Sequence, residues 1–137
     1  MAINLGTNNN LNPLNLKKND VLDLTKKNPG LDKVILGAGW DVATMGQDFD
    51  IDISAFLVGS NNKVNQIPQD VIFFNNKVGQ GVTLGGDNRT GAGEGDDETI
   101  LMDLEAINPS IQKIVFVVTI HEAQSRRQTF GMVNNSY

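Results

Sequence analysis

The chain contains no cysteine, so a disulfide framework, a zinc–thiolate site and a catalytic thiol are all excluded. Long apolar runs are also missing, because no stretch approaches the ~20 residues that a membrane-spanning helix needs. Residues 1–12 are rich in asparagine and lack the basic and apolar regions of a secretory signal. From these absences we expect a cytoplasmic protein without a membrane span.

Basic charge is scarce in two parts of the chain where acidic charge is dense. The net charge of -5 argues against nucleic acid as a partner, because phosphate binding needs a basic surface. The first acidic window, residues 41–52, holds four acids and no base. The second acidic window, residues 87–105, holds seven acids and one base, Arg89. Crowded like charges repel each other, so we expect a bound cation or internal base to offset this repulsion.

The apolar runs are short, rich in Val, Ile and Phe, and separated by Gly, Asn or Pro, which is typical of β-strands. The length of 137 residues fits one domain, over 1–137. We predict an all-β fold, a β-sandwich of two mainly antiparallel sheets, with at most a short helical turn near 104–107. The predicted strands are Ala2–Leu5, Val21–Leu24, Lys33–Gly39, Phe49–Val58, Val71–Phe74, Gly81–Leu84, Glu98–Asp103, Lys113–Glu122 and Thr129–Val133.

Residues 48–53 alternate between acidic and apolar side chains, with the period of two that a strand has. The side chains expected to face the core are Phe49, Ile51 and Ile53. Those on the opposite face are Asp48, Asp50 and Asp52, about 6.8 Å apart along the backbone. Residues 114–118, by contrast, are apolar at every position, which predicts a central strand covered on both faces.

The second window alternates acids and amides with glycines between Asp87 and Glu98. Glycine lets the backbone curl so that carbonyls and side chains can converge on one point. Calcium takes about six to eight oxygen ligands, backbone carbonyls included, in a flexible cage, whereas magnesium demands a stricter octahedron. The composition therefore favours calcium. The plainer alternative is that both windows are solvated acidic loops.

Standard nucleotide and calcium motifs fit this window poorly. An EF-hand loop beginning at Asp87 would need Asp or Asn where Arg89 stands. The glycine-rich run 91–96 resembles one calcium β-roll repeat, but a single copy cannot build a roll. No Gly-Lys-Ser/Thr follows the glycines, so the run is not a phosphate-binding Walker loop.

Three blocks of sequence resemble the TerD-like tellurium-resistance and stress family, in the family's order and over nearly the whole chain. They are Gly39-Trp40-Asp41 with Asp48-Phe49-Asp50-Ile51-Asp52 and Ser54-Ala55-Phe56-Leu57; Gly86-Asp87-Asn88-Arg89-Thr90-Gly91 with Gly93-Glu94-Gly95-Asp96-Asp97-Glu98; and the stretch 113–123 with Gln128-Thr129-Phe130-Gly131. The resemblance implies a calcium-binding β-sandwich associated with resistance to tellurite and other chemical stress. It also implies that the acids of both windows gather around one or two Ca²⁺ ions.

The resulting candidate metal ligands lie in both windows. They are Asp41, Asp48, Asp50, Asp52, Asp87, Asn88, Gly93, Glu94, Asp96, Asp97 and Glu98. Members of the family usually continue beyond the point where this chain stops, so it resembles a domain without the family's C-terminal strands. Such a chain is either a fragment or a sandwich completed by another chain through strand addition.

We expect a binding protein and not an enzyme. His121 is the only histidine, and catalysis would need a second group oriented beside it, so we interpret it as structural. Paired carboxylates could indicate a glycosidase, but a general acid needs an apolar pocket, whereas crowded acids beside glycine bind cations. Trp40 is expected to anchor the core, Arg126-Arg127 to be solvated, and Arg89 to be either an internal counter-ion or exposed.

Three function classes follow. The first is a calcium-dependent stress module that acts by binding protein partners. The second is a structural or assembly protein that uses the fold as a building block. The third is a binder of a small ligand such as a nucleotide or sugar.

Overall fold

The computed structural model describes residues 2–6, 12–23, 30–86 and 88–137. Within them the chain forms two antiparallel sheets, one ordered β2-β1-β3-β8-β7-β6 and the other β5-β4-β9. The strands are β1 Ala2–Gly6, β2 Asn12–Asn15, β3 Lys33–Ala38, β4 Ile51–Gly59, β5 Val71–Ile72, β6 Val78–Gly79, β7 Val82–Leu84, β8 Glu98–Asp103 and β9 Ile111–Ile120. A short helix α1, Ala123–Arg126, and a 3₁₀ turn, Phe130–Met132, follow β9. The predicted all-β sandwich is confirmed.

The core lies between the two sheets because alternate residues of β3, β4 and β8 point toward each other. In β4 the apolar residues at odd positions are buried, and the acidic or polar residues between them are only half-buried. The strands β3 and β8 pair from Lys33↔Asp103 to Ala38↔Glu98. Strand β8 belongs to the second acidic window, and β3 ends shortly before the first acidic window begins. The pairing of β3 with β8 therefore brings the two windows to the same end of the sheet. The main core residues are Val34, Leu36, Ile53, Leu57, Ile72, Val82, Ile100 and Met102.

Several element assignments made from the sequence differ from the structure. The predicted strand Thr129–Val133 is wrong, because Met132 N–H bonds the Thr129 carbonyl at 3.0 Å in a 3₁₀ turn. Residues 104–107 form a hydrogen-bonded turn in which Ala106 N–H bonds the Asp103 carbonyl. Residues 21–23 are not in a strand, and Leu24, the rest of that predicted strand, lies outside the described residues. Strands β2 and β6 were not predicted.

Strand β9 is not the central strand that its continuous apolar run predicts. Among the described strands only β4 pairs with it, so β9 forms one edge of the three-stranded sheet. Its outward-facing Val115 and Val117 are 42% and 38% exposed. The apolar composition indicated burial on both faces, but composition does not reveal how many other strands pair with β9.

No helix in the described part of the chain combines the length and apolar character that crossing a membrane requires.

Glu98, the first residue of β8, connects the two sheets. Its side chain is 1% exposed, and its Oε2 accepts the Ile53 backbone N–H of β4 at 2.7 Å. Ile53 pairs with Val118 of β9 on one side, and β5 pairs only with Ala55 and Phe56 farther along β4. The carboxylate therefore takes the place of a neighbouring strand at this point of β4.

We expect Glu98→Ala to lower the free energy of unfolding by about 2 kcal/mol or more, because it leaves a buried backbone N–H without an acceptor. Glu98→Gln is the matched control, since its amide oxygen can still accept that hydrogen bond. Urea unfolding followed by circular dichroism measures both variants. Equal losses for the two would contradict the role given to this hydrogen bond.

Candidate metal centre

Trp40 joins the two acidic windows at one end of the sandwich. It follows β3 and is 4% exposed. Its backbone N–H donates to Asp97 Oδ2 at 2.8 Å, and its indole Nε1–H donates to the Phe49 carbonyl at 3.1 Å. One residue thus holds a buried carboxylate of the second window and the backbone of the first, and the expectation that Trp40 anchors the core is confirmed.

The loop of the second window is folded around Asn88 and packed onto Trp40. Asn88 Oδ1 accepts the backbone N–H groups of Thr90 and Gly91, both at 3.1 Å. Asn88 Nδ2 donates to the Ala92 carbonyl at 3.0 Å and to Asp97 Oδ1. Gly91 has φ +75°, and a Cβ there would lie 2.8 Å from the Trp40 carbonyl oxygen. The loop can approach Trp40 this closely only because position 91 is glycine.

The acids of the second window differ in exposure. Asp97 is 8% exposed and carries the two hydrogen bonds described above, whereas Glu94 is exposed. Gly93 and Gly95 have φ of +124° and +95°, with open space where a Cβ would stand. Residues 93–95 therefore form an exposed, curled backbone beside buried carboxylates.

The segment of residues 134–137, which we call the C-terminal strap, lies along the residues that follow β3. Gly39 and Tyr137 exchange backbone hydrogen bonds at 3.3 and 3.0 Å, and Asp41 N–H bonds the Asn134 carbonyl at 3.1 Å. Asn135 Nδ2 donates to Asp41 Oδ2 at 2.6 Å. The strap is thereby fixed to the first window by backbone and side chain.

Tyr137 carries the strap's contact with the second window. Its ring and hydroxyl occupy the space where a Cβ on Gly39 would stand. The Asp96 carboxylate occupies the corresponding space at Gly37 of β3, two residues earlier. Desolvation, the charges of Asp96 and Asp97, and hydrogen bonding to Asp96 all raise the pKa of Tyr137 above 10.0.

The first window is held by residues that follow β9. The Asp48 carbonyl accepts Arg126 Nη2 at 2.8 Å and Gln128 Nε2 at 3.1 Å. The prediction that Arg126 is solvated is therefore wrong, because its guanidinium packs against this loop. No sequence signal pointed to the contact, since residues 48 and 126 are 78 positions apart.

The aspartates of β4 and the residues before it point away from the core, as the alternation predicted. Asp48 and Asp50 are half-buried, while the core-facing Phe49, Ile51 and Ile53 are buried. Asp52 lies on the outer face of the three-stranded sheet, with Oδ2 3.9 Å from Nδ1 of His121. The His121 ring also stands edge-on to Phe74, with ring centroids 6.3 Å apart.

The structure brings some of the candidate ligands together. Asn88 bonds Asp97, and the next residue, Glu98, reaches the backbone of β4. Asp41 is bonded by Asn135 of the strap, and the charge of Asp96 acts on Tyr137 of the same segment. Asp87 lies outside the described residues. Within the described ranges, no three carboxylate or histidine side chains converge closely enough to form a metal-binding group.

Comparison with known proteins gives a consistent assignment. Residues 13–137 match the model of the TerD domain. The chain is 48% identical to the tellurium resistance protein TerD of Serratia marcescens and 48% identical to the general stress protein 16U of Bacillus subtilis. Each alignment covers 90% of this chain and 66% of the relative, so the chain spans just under two thirds of those proteins.

A solved structure shares the fold. A TerD homologue of Streptomyces coelicolor, SCO6318, superposes with a TM-score of 0.65 at 25% identity, over 78% of this chain and 63% of that one.

The two antiparallel sheets place the molecule in the class of all-β sandwich domains. The chain belongs to the TerD family, whose named relatives are tellurium resistance and general stress proteins.

The candidate side chains offer oxygen ligand atoms, from carboxylates and from the Asn88 amide, and open space surrounds the positions where a Cβ would stand on Gly93 and Gly95. Calcium prefers such hard oxygen ligands in a flexible arrangement. Among the described candidate acids, Asp41, Glu94 and Asp96 are exposed.

We expect Gly91→Ala to destabilise the protein by at least ~1 kcal/mol more than Gly93→Ala. Both substitutions place a side chain at positive φ, but only position 91 also brings a Cβ against Trp40. Thermal unfolding of the two variants measures the difference. If they melt together, the packing of the loop on Trp40 is not as described.

The raised pKa of Tyr137 gives a second expectation. Because the folded state favours the neutral phenol, stability is fully present below pH 10.0 and is lost as the pH rises through the folded-state pKa. Tyr137 is the only tyrosine, so absorbance at the phenolate band reports it alone. We expect a titration midpoint above 10.0, and a lower midpoint in Asp96→Asn. A midpoint at or below the ordinary value would contradict the contact with Asp96.

Proposed function

We propose that the protein is a calcium-binding stress-response module that acts in the cytoplasm by binding partners, without catalysing a reaction. The observation that carries the proposal is that Trp40 and Glu98 fasten two carboxylate-rich windows to one end of the sandwich. The tellurium resistance and stress proteins among its relatives support the physiological setting.

Electrostatics explains why a cation would matter at this end. Asp97 and Glu98 are buried, and the exposed Glu94 and Asp96 stand a few residues before them. Mutual repulsion of these charges opposes the packing of the loop on Trp40. An ion bound between the two windows would offset that repulsion, and it would stabilise the folded domain in proportion to the free calcium concentration.

The proposed binding of partners depends on the same coupling between calcium binding and the folded state. An ion that joins the windows would fix the exposed backbone around Gly93 and Gly95 in one conformation. A preformed surface loses less conformational entropy when it binds another protein. Calcium would then control partner binding through the order of this loop.

Calcium is expected to raise the melting temperature clearly, and magnesium to raise it less, because magnesium keeps its waters and its octahedral geometry. Asp50→Asn and Asp96→Asn should each weaken calcium binding by roughly tenfold or more, as measured by calorimetry. Asp70→Asn is the matched control, since Asp70 lies outside both windows and its carbonyl bonds Leu57 near the other end of β4. Equal melting in calcium and in chelator would sink the proposal.

A second candidate function, assembly through the fold, is favoured by the edge strand β9. In the antiparallel pairing with β4, alternate residues of β9 direct their N–H and C=O groups away from β4, and no described strand lies there. A long apolar edge of this kind accepts an added strand. Light scattering over a range of protein concentrations separates the two functions, because assembly through β9 would proceed in chelator as well as in calcium.

A further inference from the structure

A cavity lies where the loop that leads into β4 meets the segment that follows β9. Its volume is about 190 Å³, and its walls come from residues 43–47 and Phe49 on one side and from residues 126–128, Met132 and Asn134 on the other. A single water occupies about 30 Å³, whereas sites for drug-sized ligands begin near ~300 Å³. The cavity therefore suits a ligand of roughly the size of an amino acid.

Gln128 brings an unused hydrogen-bond acceptor to this cavity. The residue is 9% exposed, and its Nε2 donates to the Gln47 and Asp48 carbonyls at 2.8 and 3.1 Å. These bonds fix the orientation of the amide, because an oxygen in place of Nε2 would face two carbonyl oxygens. The Oε1 atom is buried, and no residue that the structure describes donates a hydrogen bond to it. A buried acceptor without a partner is costly, so a ligand that donates to Oε1 would be bound favourably.

Arg127 brings a positive charge to the same wall. It ends α1 with φ 54° and ψ 41°, in the left-handed position that glycine usually takes. The side chain is exposed, and within the described ranges its guanidinium has no hydrogen bond or ion pair. The neighbouring Arg126, by contrast, donates to the Asp48 carbonyl and to the Gln47 side chain. An unpaired arginine held in a costly backbone conformation indicates a role in binding.

Apolar side chains complete the cavity. Phe49 is buried in its wall, whereas Met45 and Met132 line it and are largely exposed. Methionine is flexible and adapts to ligands of irregular shape. Side chains of this kind commonly change rotamer when a ligand binds, which would open the way to the covered Gln128 Oε1.

We propose that this cavity binds a small organic carboxylate that also carries an N–H donor and an apolar group, which is the chemistry of an N-acylated apolar amino acid. The carboxylate pairs with Arg127, the N–H donates to Gln128 Oε1, and the apolar group packs against Phe49 and the two methionines. A singly charged carboxylate matches one guanidinium, whereas a phosphate dianion would add unpaired charge to a protein of net charge -5. This inference goes beyond the calcium binding proposed above and does not depend on it.

A series of four compounds tests the three contacts separately. N-acetyl-leucine carries all three groups. Each of the others lacks one: N-acetyl-leucinamide lacks the carboxylate, O-acetyl-leucic acid has an ester oxygen in place of the N–H, and N-acetylglycine lacks the apolar side chain. Calorimetry in chelator measures affinity, and NMR shifts of the Gln128 side-chain amide and of the backbone amides of residues 43–47 locate the site. We expect a Kd of about 1 mM for N-acetyl-leucine and at least roughly tenfold weaker binding for each of the others.

Two variants of the full chain test the charge. Arg127→Gly removes the guanidinium at a φ that glycine adopts without strain, so the variant is expected to fold and to melt close to the unmodified protein. Lys63→Ala, in the loop after β4, removes an exposed positive charge far along the chain and is the matched control. We expect N-acetyl-leucine to bind Arg127→Gly about tenfold more weakly and Lys63→Ala with unchanged affinity.

Several results would overturn the inference. One is the absence of N-acetyl-leucine binding at millimolar concentrations, and another is binding that shifts only amides outside the cavity. Equal affinity for the four compounds would show that the cavity does not recognise the three groups, and equal affinity of Arg127→Gly and the unmodified protein would remove the proposed ion pair. Because all measurements are made in chelator, none of these results bears on the calcium binding proposed above.

Discussion

Two neighbouring buried carboxylates hold the acidic end of the sandwich to its strands. Asp97 accepts the backbone N–H of Trp40, which follows β3, and Glu98 accepts that of Ile53 in β4. Each carboxylate accepts a hydrogen bond from a backbone N–H group that no neighbouring strand bonds. A buried N–H group without an acceptor would lower the stability of the fold by about 1–3 kcal/mol. Asp97 thus holds the ends of β3 and β8 together within one sheet, and Glu98 joins that sheet to β4 of the other. This explains how a dense cluster of acids can belong to the framework of the fold.

The same end of the molecule combines rigid and open parts. Trp40, Asp97 and Glu98 are buried and hydrogen-bonded, whereas Glu94, Asp96 and the glycines around them are exposed. Buried acids give the loop a fixed base, and exposed acids remain available to a ligand. The C-terminal strap lies between these parts, because its backbone pairs with the residues after β3 while its Asn135 side chain bonds the exposed Asp41 carboxylate.

Several features could be predicted from the sequence because they depend on local patterns. Alternation along residues 48–53 indicated which side chains of β4 face the core, and β8 was predicted with its observed bounds Glu98–Asp103. The two acidic windows were evident from charge spacing alone. Thr129–Val133 was predicted incorrectly as a strand, because its composition suits one but Arg127 turns the chain at φ 54° and the backbone then bonds locally.

Sequence alone determined the class of fold, the strands with clear alternation, and the oxygen-rich composition of the acidic end, since each follows from side chains close together in the chain. Only the tertiary structure decided that β9 is an edge among the described strands, that Arg126 and Gln128 hold the first window, and that the strap bonds Asp41. Those contacts join residues far apart in sequence. Their geometry is set by how the two sheets stack and by where β3 ends, and no local pattern of residues encodes either.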